Sequence, residues 1–377
     1  MSNTVARAIE QTCFVCKETT TGTPVYPTEA AEKIIAAGYV DINQQPTYTN
    51  SEEINNSLDL LERFQDQVGA GSFTIPTYFR PSGTAGTAPM AKVLFESLMG
   101  VETTAAVTSV TYSQATTKPS FTLWTKKGHT VFFGAGACCE AGKINFTNKG
   151  GAKVDFSGGF MRMGWAGTDA VDGAVAESNS VTVTDGKKFT ANAYVQIGDD
   201  TNTGAGYKIS SVSGNVLTMA DSITCDDAAV IKGYLPEFTC VGTPMESKET
   251  SITLDAAATN LKSLSLYINS PVAWQTDEIT TSGYVASYVE DRRNITMTID
   301  MLFRENDLDL FYDGLNDTST AVVATIGSTA GKIITINLPY SVLEVPKIST
   351  SAPTVSLSVA GTALGSSGED SCSIAFT

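Results

Sequence analysis

The chain of 377 residues holds a single histidine and seven cysteines. A Ser-His-Asp or Cys-His nucleophile would have to use His129, which sits in Trp124-Thr-Lys-Lys-Gly-His-Thr just before the apolar run Val131-Phe132-Phe133. That pattern is a hairpin turn, so His129 is expected to be a solvated turn residue. No Gly-x-Ser-x-Gly elbow occurs. Cys13-Phe-Val-Cys16 is a lone Cys-x-x-Cys. A structural zinc site needs a second pair, and the other thiols are the vicinal Cys138 and Cys139 and the isolated Cys225, Cys240 and Cys372. Redox use of Cys13 and Cys16 would need a βαβ context that the pattern lacks. Disulfides between subunits stay open as an alternative. Gly327-Ser-Thr-Ala-Gly331-Lys332-Ile333 imitates a phosphate loop, but it is one residue short and puts Ile333 where the magnesium-binding hydroxyl belongs. Gly134-Ala-Gly136 lacks the third glycine of a dinucleotide turn. Asp307, Asp309, Asp313 and Asp317 gather around Gly314 without the order of a calcium loop, and read as a solvated acidic loop. Nothing singles out two of the 40 acidic residues as a glycosidase pair. No catalytic residue, cofactor site or metal site is expected.

What remains is a question of architecture. Hydrophobic residues make up 42% of the chain, enough for a substantial core. Its net charge of −16 speaks against a sequence-independent phosphate binder. No apolar run is long enough for a membrane span, and Met1 to Thr23 has no apolar h-region, so no secretory signal is expected and synthesis falls to a reducing cytoplasm. The wealth of Thr and Gly leans towards an all-β protein with minor α content.

Along the chain, residues 1–23 read as a polar arm. Ala30 to Ala37 suggests a short helical turn. From Ser51 to Val68 the even positions Ile54, Leu58, Leu60, Phe64 and Val68 are apolar and the odd ones polar with the exception of Leu61, which predicts a long strand. Gly69-Ala70-Gly71 turns it into a partner, Ser72 to Pro76, making a hairpin over 51–80. Pro89 to Met99 predicts a helix with Met90, Val93, Leu94 and Leu98 on one face and Gly100 as its stop. Short strands are expected at Val107–Tyr112, Ser120–Trp124, Thr130–Phe133, Ile144–Phe146 and Lys153–Met163. Residues 169–235 read as an inserted five-strand barrel or sandwich, with a hairpin turn at Ser213-Gly-Asn215. Long strands then return: Ser251–Leu254, Leu261–Ile268, Tyr284–Val289, Asn294–Phe303, Lys332–Tyr340 and Val355–Val359. The tail, through Cys372–Phe376, is read as a last strand or arm, so the body comprises residues 1–168 and 236–377.

Three stretches in order resemble the tail tube (major tail) proteins of tailed bacteriophages: Ser51 through Gly69-Ala-Gly-Ser-Phe73-Thr-Ile-Pro76, the helix Ala88 to Gly100, and Val289-Glu-Asp-Arg-Arg293 to Asp300. The resemblance implies a structural virion protein. Its fold would be a β-sandwich with one flanking helix, assembled into stacked hexameric rings. The inserted domain would lie outside the tube, and the partners would be further copies of the chain and the tape-measure, terminator and baseplate proteins. If each of six subunits supplies four strands at about 4.8 Å spacing, the wall is roughly 115 Å around before tilt enlarges it, wide enough for duplex DNA. Glu53, Asn55, Ser57, Asp59, Thr296, Thr298 and Asp300 would face this lumen, and their carboxylates would make it acidic and repel phosphates. The alternative is a secreted or surface β-domain adhesin or host-recognition module, which would need an export route; a tail spike or other carbohydrate-active enzyme would need a cleft of convergent acids.

Overall fold

The computed structural model describes residues 7–54, 59–279, 283–351 and 353–377. The protein is built mostly of β-strands, with two eight-residue helices, α1 (Lys92–Met99) and α2 (Asp309–Asn316). Two sheets enclose the main core. The first runs, strand beside strand and everywhere antiparallel, in the order Asp41–Asn43, Gly71–Tyr78, Lys153–Phe160, the C-terminal half of Thr130–Thr147, Leu261–Asn269, Asn294–Leu302, Thr354–Ala363 and Lys347–Ser351. The second contains Thr250–Leu254, Ser319–Ile326, Ile334–Leu343, Ser373–Phe376, Ser109–Gln114 and Gly100–Ala105. Inward residues of both, such as Ile75, Phe156, Ile144, Ile299 and Val359 against Val322, Ile336, Ile374 and Tyr112, form one apolar cluster.

Alternation explains the long strands. In Asn294–Leu302, Ile295, Met297, Ile299 and Met301 are all buried while the residues between them are not. Gly71–Tyr78 likewise buries Phe73 and Ile75 and exposes Ser72 and Thr74. Thr130–Thr147 joins two expected strands into one of 18 residues. It bends at bulges near Gly136 and Glu140, so that its N-terminal half pairs with Phe121–Lys127 and Arg162–Ala166 instead. The bend is held by buried Glu18, whose carboxylate accepts hydrogen bonds from Gly136 N–H, Ser120 Oγ and Thr122 Oγ1, each at 2.8 Å.

Four expectations are overturned. Ser51–Val68 is not a long strand: Tyr48–Asn50 pairs with Arg63–Gln65 in a small separate sheet, and Ile54, Leu60 and Phe64 are exposed. No neighbouring sheet lies under the segment to make its alternation count. The supposed arm over 1–23 contains Gln11–Lys17, an inner strand paired with Phe121–Lys127 and burying Cys13, Phe14, Val15 and Cys16 in succession. Of the two readings of the tail the strand holds and the arm does not: Ser373–Phe376 lies between Ile334–Asn337 and Val110–Ser113. The acidic run after Arg304 is not simply a loop, for Asp309–Asn316 is α2 and makes the flanking helix one of two. Beyond these, Ser319–Ile326 is a strand that the sequence reading passed over.

The insertion is a six-stranded sheet from Thr168–Ala170 to Val230–Gly233, one strand more than expected. Its outer strands meet at Val171 and Val183. Its core continues into the body: Val181, Val195, Ile209 and Leu217 cluster with Phe14, Trp124, Val131 and Phe133, and Tyr26 stacks on Tyr194 with ring centroids 3.6 Å apart. The two units share one apolar seam.

Candidate functional site

The outward face of the first sheet is a broad polar surface carried by regular structure. Cross-strand register fixes its membership. Thr296, Thr298 and Asp300 stand opposite Tyr267, Ser265 and Ser263 on one side and Thr362, Ala360 and Ser358 on the other. Tyr267 and Ser265 stand opposite Lys143 and Asn145, which face Asp155 and Lys153 in turn. Ser263 Oγ donates to Asp300 at 2.8 Å and Ser265 Oγ to Asn145 Oδ1 at 3.0 Å. Lys153 Nζ lies 3.0 Å from Asp155. Charges on this face alternate in sign: Asp41, Asp155 and Asp300 against Lys143, Lys153 and Lys347. Its ground is Ser, Thr and Asn, hydroxyls and amides that neither collect nor strongly repel a polyanion.

The seven residues expected to line a lumen are therefore split. Thr296, Thr298 and Asp300 share this face. Glu53 and Asp59 are exposed on the connection within the small separate sheet, so the structure does not put their carboxylates on the wall with Asp300. Asn55 and Ser57 lie outside the described residues. Sequence reasoning missed Lys143, Lys153 and Asp155, although their i, i+2 spacing between apolar Ile144 and Val154 carried the signal.

The Arg-Arg pair has a structural use. Arg293 donates through Nε to Ser270 Oγ at 3.3 Å, reaches the Ala115 carbonyl and pairs with Glu369, so one guanidinium ties three segments together. Buried Lys118 works alongside, its Nζ donating to the carbonyls of Cys139, at 2.8 Å, and Ser270. Burial lowers its pKa.

The remaining candidates resolve into structure. His129 is exposed at the turn between Phe121–Lys127 and Thr130–Thr147. Cys13 and Cys16 point to different cores, one in the body and one in the seam with the insertion. Burial raises both thiol pKa values, that of Cys13 to about 12, which disfavours the thiolate that redox or metal chemistry needs. All seven cysteines are free. The loop over 327–333 directs its amides at the chain's own end, Gly331 and Ile333 N–H both donating to Thr377 O. Among the described residues no group of three or more His, Cys, Asp or Glu is placed to hold a metal ion.

The curled first sheet presents one polar face, and its two end strands each pair on one side only among the described residues. The chain belongs to the phage tail tube protein family, whose model matches residues 10–363. It is thereby a structural component of a bacteriophage tail. Comparison with curated proteins returns no match. No described helix is long and apolar enough to cross a membrane.

Proposed function

We propose that the chain closes into stacked rings whose bore is lined by the polar face of the first sheet, and that duplex DNA passes along this bore during ejection. The observation that carries the reading is the combination of that face with two unpaired sheet edges. Asp41–Asn43 and Lys347–Ser351 each pair on one side only among the described residues, and an open edge of this kind is a template for another chain. Thr296, Thr298 and Asp300 look into the bore in this reading. Glu53 and Asp59 belong to the connection between the strands of the separate small sheet, which serves contacts between successive rings.

A wall of this composition lets DNA slide for a different reason from an acidic one. Binding to phosphates needs a run of cations, and each Lys here is offset by an Asp on the same face. The inserted barrel packs on the strands Gln11–Lys17 and Phe121–Lys127, and we assign it to the outer wall. Synthesis takes place in the host cytoplasm, and the tape-measure, terminator and baseplate proteins are the partners at the tube's core and ends.

Negative-stain microscopy of the purified protein tests the assembly: rings or tubes are expected, and discrete single particles at every concentration would overturn it. Phages carrying Thr296→Lys with Thr298→Lys test the bore. They should form intact tubes but eject DNA more slowly, with the delay relieved by salt. Unchanged ejection would remove these residues from the wall.

A further inference from the structure

Two exposed surfaces of the chain complement each other in shape and charge. The first is built on α2. Leu310 and Phe311 pack against the core, while Leu308, Tyr312 and Leu315, spaced i, i+4 and i+7, form an exposed apolar stripe about two turns long. Asp307, Asp309, Asp313 and Asp317 flank the stripe, and residues 305–317 include no Lys or Arg. The helix therefore finishes on Asp313 and Asp317, with no basic residue in its last turn, at the pole where the backbone dipole favours a cation. Gly314 packs against Val345, which sets α2 beside Lys347–Ser351, the last strand of the first sheet.

The second surface is a groove at the opposite end of that sheet. Gln11–Lys17 pairs with Lys33–Ile34 only at Cys13 and Phe14, after which the chain leaves it to run along Gly71–Tyr78. The Gln11 side chain spans the opening, donating to Gly38 O at 2.7 Å and accepting from Val40 N–H at 3.3 Å. What stays open is a groove of about 520 Å³, backed by buried Cys13 and Ile34 and with Ile9, Ile35 and Tyr39 exposed at its mouth. Lys33 lines it, and Arg7, Lys127 and Asp41 line a second hollow that continues it past Gln11 and Tyr39. None of the four aspartates of α2, and neither Lys33 nor Lys127, has an ion-pair partner among the described residues; Arg7 has only Glu10, 3.6 Å away at the surface.

We infer that α2 of one copy seats its Leu308, Tyr312 and Leu315 stripe in the groove of a second copy, with its aspartates meeting Arg7, Lys33 and Lys127. This contact rests on the tube reading and assigns the surfaces by which neighbouring copies recognise each other. Apolar knobs with an acidic rim meet an apolar hollow with a mainly basic one, so burial supplies the attraction and the rim fixes the register. A single chain cannot satisfy itself in this way. The groove lies beside the first strand of the sheet and α2 beside the last, with six strands between them. The contact is therefore head-to-tail, each copy giving its helix to one neighbour and its groove to the other. The partner's cations would also supply what the C-terminal end of α2 lacks.

The test follows tube growth of the full-length protein by light scattering. Asp313→Lys with Asp317→Lys, or Arg7→Glu with Lys127→Glu, should raise the critical concentration severalfold, and all four substitutions together should recover most of the loss. Additive losses, or unchanged growth of either pair, would overturn the docking. The unfolding midpoint of each unassembled variant verifies that the chain still folds. A second measurement does not depend on charge. Asp313→Cys with Lys127→Cys, in protein that also carries Cys225→Ser and Cys240→Ser to remove the two cysteines that are not buried, is treated as assembled tubes with a short bismaleimide. Chains linked to one another are expected from the pair and from neither single cysteine variant; intact tubes without such links would overturn the contact. Failure of the unsubstituted protein to form rings or tubes would instead overturn the tube reading itself.

Discussion

The two helices each lead into an antiparallel pair of the second sheet and live in opposite surroundings. In α1, Val93, Leu94, Phe95, Ser97, Leu98 and Met99 are buried. The strand Gln11–Lys17 closes over it, Lys17 pairing with Glu96 at 2.6 Å, while Lys92 reaches Glu29 at 3.0 Å. In α2 nothing is buried: Leu310 and Phe311 touch the core, and Leu308, Tyr312 and Leu315 recur on a face that is 61%, 67% and 75% exposed. A helix is enclosed when the chain supplies elements on both sides of it, and among the described residues it does so for α1 and not for α2. Burial of a local motif is thus set by topology as much as by its residues.

The largest way to break this comparison is at Phe95. Its ring meets Phe156 and Phe376 edge-on and stacks near Phe79. Phe95→Ala should cost about 3–5 kcal/mol in a denaturant titration, because the rings of Phe79, Tyr112, Phe156 and Phe376 all pack against it. Phe311→Ala at the neighbouring position of α2 should cost markedly less, since its site is only half covered; equal losses would refute the contrast.

The helix ends give a smaller effect of opposite sign. Gly100 closes α1 at φ 124°, and a Cβ there would lie 2.7 Å from Ala115 N. Gly100→Ala should therefore destabilise by more than about 1 kcal/mol. Asp317 closes α2 at φ 55°, a left-handed conformation that costs a side chain roughly 1 kcal/mol. Asp317→Gly should raise the unfolding midpoint slightly or leave it unchanged, and a clear loss would show that the Asp317 side chain makes a necessary contact.

The same contrast governs what the sequence makes legible. Where one face is covered and the other is wet, alternation reads correctly, as in Ile295–Met301 and Phe73–Ile75, and the polar positions Thr296, Thr298 and Asp300 follow from it. Cys13 to Cys16 conceal a strand because the body covers one side and the insertion the other, leaving no polar position to mark a period. Ile54 to Phe64 mislead in the opposite way, since the period exists without a sheet beneath it. Asp309, Asp313 and Gly314 hide α2 by propensity, although Gly314 has a packing reason: a Cβ there would sit 2.7 Å from Val345 N.

The smallest effect on the folded chain falls on the exposed face of α2. Tyr312→Ser with Leu315→Ser removes side chains that touch mainly solvent, so the unfolding midpoint of the isolated chain should move by no more than about 0.5 kcal/mol. Assembly should nevertheless suffer, because α2 packs through Gly314 against Val345, beside the Lys347–Ser351 edge that pairs on one side only among the described residues. Light scattering during tube growth separates the two: unchanged stability with a raised critical concentration means that another copy covers α2 in the ring, as Gln11–Lys17 covers α1 within the chain. Unchanged growth would mean that the helix faces outward, and that only α1 needs a cover, the one the N-terminal strand gives it.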